Sequence, residues 1–197
     1  MESRHLTVRI REWLSQNAAA AVLVILFAVI HIFSQFAGDA VYLFGNTGRI
    51  ALDGEYYRWV TCLFLHNNLR HLLTNAVTLL AVSSLLDHIL KNRQTVFIFL
   101  AGGILSEIAY SAVSTDPAYE IGASGGIFAL LACLAACCLR FPECFRLRWY
   151  RPDVLILPVY FVFANSSVTA FLVHMFGFAA GIILGFILVL AGFVRQT

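Results

Sequence analysis

Long apolar runs alternate along this chain with short breaks made of charged residues, prolines and hydroxyl side chains. Residues 18–37 hold no acidic residue, lysine or arginine, and about 20 such residues wound as a helix cross the roughly 30 Å of hydrocarbon in a bilayer. Further runs cover 69–90, closed by Asp87, His88, Lys91, Asn92 and Arg93, then 94–114, closed by Ser114-Thr115-Asp116-Pro117, and 121–139, closed by Arg140-Phe141-Pro142. The last run, 152–194, is too long for one span, and Asn165-Ser166-Ser167 is its polar interruption. We divide it there into a fifth and a sixth helix. The fifth is short, so it must recruit Trp149, Tyr150 and Arg151 at the interface or thin the membrane locally. The pattern predicts an all-α membrane protein built as a six-helix bundle.

Between the first two runs, residues 38–66 mix aromatics with Gly45, Gly48, Gly54, Asp39, Asp53 and Glu55. They are too polar to span and too aromatic for a plain linker, which places them partly in the bilayer interface. Residues 1–17 carry Arg4, Arg9 and Arg11 among Leu6, Val8, Ile10, Trp13 and Leu14. They suit either a segment lying on an anionic leaflet or a solvated basic tail, and lead into the first span as a retained signal anchor. The chain thus divides into a basic N-terminal segment at 1–17, a helical core at 18–194 and a short tail at 195–197.

Composition narrows the function. At 60% hydrophobic, 12% charged and a mean hydropathy of +0.83, an ordinary soluble domain is excluded. A net charge of +2 gives no footprint for nucleic acid. The cysteines, Cys62, Cys133, Cys137, Cys138 and Cys144, are odd in number and have no histidines at ligand spacing. They read as reduced, buried side chains, not as a disulfide framework or zinc site.

The lysines and arginines set topology. With the N-terminus inside, only Arg49, Arg58 and Arg70 of the 13 fall outside, which satisfies the positive-inside rule and makes both termini cytoplasmic. The second, fourth and sixth spans then all begin on the outer side. Those beginnings carry His71 and Asn75, Ser124, and His174.

Ser124 lies in Gly122-Ala123-Ser124-Gly125, a small-residue turn entering an apolar helix, where unpaired N–H groups and the helix dipole favour developing negative charge. A serine needs a base to become a nucleophile. His174 is the best candidate, because Gly177, Gly181 and Gly185 follow it on one helical face and admit a close partner helix. Taken alone, that face also fits a packing motif with an interfacial histidine. Phe128, one turn beyond Ser124, can stack on the imidazole or belong to the core. His71 and Asn75 are an i, i+4 pair that could donate hydrogen bonds to an oxyanion or act as polar glue between helices. His66 can support the loop by a backbone hydrogen bond. Glu107 lies about 10 Å below the outer end of the third span, near Ser106, Tyr110 and Ser111, and reads as a structural hydrogen-bonding group, with proton handling as the alternative.

Together, Phe64-Leu65-His66-x4-His71-x3-Asn75, Gly122-Ala123-Ser124-Gly125 and His174-x2-Gly177-x3-Gly181, in that order on alternate spans, resemble the rhomboid intramembrane serine proteases over roughly residues 18–194. The resemblance implies a six-helix rhomboid-like core with a Ser124–His174 dyad that lacks a third acidic member. It implies an oxyanion hole from the Ser124 N–H, His71 and Asn75, with Gly122, Gly125, Gly177, Gly181, His66, Phe128 and Arg58 in support. It also implies an outward-opening water-filled cavity, no metal or organic cofactor, and cleavage of single-span membrane proteins near their outer boundary. Tyr57-Arg58 stands where the family carries Trp-Arg, and Phe128 stands where the family often has tyrosine. The short fifth span lies in the region the family assigns to substrate entry.

Two other functions compete. A catalytically inactive rhomboid-like protein binding transmembrane helices needs neither Ser124 nor His174. A small transporter predicts inverted repeats or several charges along one pathway, and Glu107 is the one charge at depth. The partners expected are single-span membrane substrates and the lipid bilayer, with no nucleic acid. Short loops and a compact chain fit a bacterial inner membrane.

Overall fold

The computed structural model describes residues 11–142, 150–165 and 167–193. Arg4, Arg9, Cys144, Trp149, Ser166 and the 195–197 tail lie outside the described residues.

The chain is helical: α1 (Ala18–Ala37), α2 (Ala40–Phe44), α3 (Gly48–Leu52), α4 (Arg58–Thr61), α5 (Leu69–Leu86), α6 (Asn92–Val113), α7 (Ser124–Arg140), α8 (Pro152–Ala164) and α9 (Val168–Leu190). Among the described residues there is no strand, only one isolated antiparallel bridge, Asn46 with Glu120. Helices α1, α5, α6 and α9 are long and apolar enough to cross a membrane, and α7 and α8 are shorter apolar helices. This is an all-α membrane protein.

The polar breaks double as caps. The Asn68 side chain accepts from the His71 N–H at 2.9 Å to open α5, and the Ser167 hydroxyl accepts from the Ala170 N–H at 3.0 Å to open α9. Proline at the first position of α8 forfeits an N–H that the helix would not use. The run expected from 121 starts its helix three residues later, at Ser124, because Gly122 sits at φ 135° and breaks the helical path.

Helix α7 occupies the centre. Every residue from Ser124 to Leu130 is buried, and the helix packs against α9, α6 and α5. A helix that is apolar all round belongs inside a bundle. Helix α8 leans on α5, and its Val162 and Phe163 are exposed together with Phe33 and Phe36 of α1 and Leu190 of α9. In a bilayer these side chains meet lipid.

The connection over 38–66, read as an interfacial loop, folds into α2, α3, α4 and a 3-10 turn at Cys62–Phe64. Buried Arg58 clamps it. Its guanidinium donates to the carbonyls of Tyr42 and Gly45 at 2.8 and 2.7 Å, and pairs with Glu55 at 2.6 Å. The Tyr57 hydroxyl bonds the same carboxylate at 2.7 Å and, ahead of Arg58, holds Glu55 below its usual range. Glu107 finds its partner in this connection and not among its helix neighbours: its carboxylate accepts from Asn46 Nδ2 at 2.7 Å.

Candidate active site

The site grows from the turn before α7. The Gly122 N–H donates to the Cys62 carbonyl at 2.9 Å, and the Asn46–Glu120 bridge holds the strand of chain entering it. A side chain at Gly122 would lie 2.8 Å from His71 Cε1 and Nε2 and 3.6 Å from Asn75 Nδ2. The imidazole and the amide of α5 therefore pack directly against the backbone of this turn. The first helical bond of α7 runs from the Ile127 N–H to the Ala123 carbonyl at 3.1 Å. The Ser124 N–H precedes it, among the donors a helix start leaves unpaired.

Small residues fix the register of α9 on α7. A Cβ at Gly177 would collide with the Gly125 carbonyl, and one at Gly181 with the Ala129 carbonyl. Backbone contact at this spacing leaves no slack for sliding. It brings His174, one turn before Gly177, to the level of Ser124. The imidazole lies on the Phe128 ring, with centroids 4.2 Å apart and planes 6° apart.

Ser124 and His174, both buried, line one cavity of about 630 Å³ with His71, Asn75, Glu120 and Tyr160. Asn75 Oδ1 accepts from the Tyr160 hydroxyl at 2.7 Å. Its Nδ2 is buried and has no hydrogen-bond partner among the described residues. That amide therefore presents an unspent donor next to the Ser124 turn. On the other side, His174 Nδ1 meets Asn165 Oδ1 at 2.9 Å.

His66 enters the site through its backbone. Its carbonyl accepts from His31 Nδ1 at 3.1 Å, while its ring stands edge-on to His71 at 5.0 Å between centroids. Neither of its ring nitrogens has a partner among the described residues, and burial, reinforced by His71, pulls its pKa down to about 3. Glu120 moves the other way, to about 8, through burial and the charges of Glu107 and Asp116. Arg58 does not line the cavity and acts on the connection instead. Cys62, Cys133, Cys137 and Cys138 are free thiols, and no three His, Cys, Asp or Glu side chains among the described residues could hold a metal.

Four residues that the sequence did not single out take part: His31, Asn46, Tyr160 and Asn165. Asn165 was visible as the polar break before the sixth helix, but nothing in its spacing joined it to His174. Tyr160 read as one aromatic among many in an apolar run.

An all-helical membrane protein that gathers a serine, two histidines and an asparagine from three helices around one cavity is a polytopic protein with a polar site within its bundle. The family model of the rhomboid domain matches residues 53–191, and the chain belongs to the rhomboid family. Among its relatives is "Putative rhomboid protease YdcA" of Bacillus subtilis, 25% identical over 168 residues that cover 82% of this chain and 84% of that protein. Rhomboid protease GluP of the same organism is 30% identical over 119 residues, 59% of this chain and 23% of GluP. Inactive rhomboid protein 2 of Homo sapiens is 28% identical over 134 residues, 67% of this chain and 16% of that protein. The chain thus spans most of YdcA but less than a quarter of the other two. Membership alone does not decide activity, since these relatives include proteins named as proteases and one named as inactive.

Proposed function

We propose that this chain is an intramembrane serine endopeptidase that hydrolyses peptide bonds of single-span membrane proteins near their outer boundary. In this reading α1 and α5 to α9 are six spans, both termini are cytoplasmic, residues 18–194 are the catalytic core flanked by 1–17 and 195–197, and the membrane is a bacterial inner membrane. His174 takes the proton of Ser124 as the hydroxyl oxygen attacks the scissile carbonyl carbon. The oxyanion so formed is met by the Ser124 N–H, His71 and Asn75. Collapse of the intermediate expels the amine, which leaves with the proton from His174, and the acyl group stays on Ser124. Water, deprotonated by His174, then releases the second product and restores the serine.

The observation that carries this is the unspent Asn75 donor in the cavity shared by Ser124 and His174. A buried amide donor with no protein partner among the described residues must take its hydrogen-bond acceptor from the cavity, and an arriving oxyanion is such an acceptor. The alternative, an inactive rhomboid-like protein that binds transmembrane helices, draws support from the likeness to Inactive rhomboid protein 2.

The test is cleavage of a single-span substrate by purified protein in lipid, with products identified by mass spectrometry, beside Ser124→Ala and His174→Ala. Cleavage by the wild type that is lost in both variants is the expected result. No product from any substrate, with no fluorophosphonate labelling of Ser124, would move the assignment to the inactive, helix-binding function.

A further inference from the structure

We propose that Asn165 is a positioning residue for His174, holding the imidazole in the tautomer whose Nε2 is free to take the Ser124 proton. This rests on the protease function proposed above for the same cavity.

The assignment follows from which atoms can donate. Asn165 Nδ2 lies 2.6 Å from the Phe161 carbonyl, in the last turn of α8. A carbonyl only accepts, so the amide NH2 must face Phe161 and the amide oxygen must face the other way. That oxygen is 2.9 Å from His174 Nδ1. Two acceptors cannot bond each other, so Nδ1 carries the proton. A neutral imidazole has one N–H, which leaves Nε2 with its lone pair, the form a general base requires.

The constraint complements the stacking on Phe128. Stacking fixes the plane of the ring but not its rotation within that plane, and the Asn165 contact fixes the rotation. Asn165 does so from outside α9, in the break between α8 and α9, so the helical register alone would not supply it. An amide also holds the ring without burying a charge. A carboxylate at the same place would keep the geometry while favouring the imidazolium. The other titratable side chains lining the cavity are Arg70, His71, Tyr119, Glu120 and Tyr160, and these are common to all the variants compared below.

The experiment measures kcat and KM against pH for the wild type, Asn165→Ala and Asn165→Asp in lipid. Asn165→Ala is expected to lower kcat by about 10- to 100-fold with KM within about twofold, the size of a misoriented general base. Asn165→Asp is expected to keep kcat at its own optimum within about threefold of the wild type, with the acid limb of the profile moved up by about one pH unit. Both variants lose the donor to Phe161, so recovery in the aspartate isolates the bond to His174. The inference is overturned if Asn165→Ala turns over like the wild type, if the aspartate is as slow as the alanine, or if its acid limb does not move. An active wild type with an indifferent Asn165 sinks this inference alone, whereas an unlabelled, inactive wild type sinks the protease function as well. Should Asn165→Ala fail to fold, the aspartate profile decides. Nitrogen chemical shifts of His174 in the wild type give a check without turnover: protonation at Nε2 instead of Nδ1 would refute the assignment.

Discussion

The Phe128 ring lies flat on the His174 imidazole, planes 6° apart, while the rings of Tyr160 and Phe161 approach Phe128 at 5.6 and 5.7 Å between centroids. Phe128 is therefore held by α8 and in turn holds the histidine. Replacing it with leucine keeps an apolar side chain but removes the flat surface. An aromatic stack is worth about 0.5–1.5 kcal/mol beyond its area, so kcat of Phe128→Leu is expected to fall roughly 3- to 10-fold. Steady-state cleavage kinetics check this, and an unchanged kcat would reduce Phe128 to core filling.

Asn75 is expected to matter more than the tyrosine that orients it. Asn75→Ala removes the donor outright and should lower kcat by about 10²- to 10³-fold, the usual size for one oxyanion donor. Tyr160→Phe leaves the amide in place but free to rotate, since its oxygen loses the bond at 2.7 Å. Its kcat is expected to lie between that of the wild type and that of Asn75→Ala. The reverse order would show that Tyr160 acts by some route other than Asn75.

Gly177 offers a test of register. A methyl group there meets the Gly125 carbonyl, so α9 must move away from α7 and carry His174 with it. Overpacking of this kind costs about 1–3 kcal/mol, read as a lowered Tm of Gly177→Ala in detergent. Cleavage is expected to fall further than the loss of folded protein explains. Retention of full activity at a wild-type Tm would show that α9 has slack the structure does not suggest.

His66 gives a pH prediction. Its folded pKa of about 3 lies below the ordinary 6.5, so the native ring stays neutral while the unfolded chain takes up a proton as pH falls below 6.5. Stability is thus lost on acidification from 6.5 toward 3, by on the order of 1 kcal/mol per pH unit at most. His66→Leu removes this contribution. Thermal unfolding at pH 7 and pH 5 should therefore show a smaller acid loss in the variant, and an equal loss in both proteins would contradict the assignment.

What the sequence revealed follows from what lipid demands. A span must be apolar for about 20 residues, so the long helices stood out, and polar residues at their outer ends stood out against them. For that reason His71, Asn75, Ser124 and His174 could be singled out before their common cavity was seen. The helical period also aligned His174 with its glycines. Tertiary partners left no such trace. Asn46 bonds a carboxylate 61 positions away, Tyr160 an amide 85 positions away, and no local pattern encodes either pairing. The helices within 38–66 were missed because short segments rich in aromatics and glycine show no clear period. The apolar run from 121 begins ahead of α7 because Gly122, at φ 135°, turns the chain before the helix starts at Ser124.

Helix α8 carries Tyr160 and ends at Asn165, so the hydrogen bonds to Asn75 of α5 and His174 of α9 are fastened to the same short piece of chain. Tyr160 is its one buried side chain, and most of its surface faces outward. A single rigid displacement of α8 would release both bonds at once, freeing the Asn75 amide and the His174 imidazole in one event. Under the function proposed above, the two groups are wired as a coincidence lock whose key is this short, outward-facing helix.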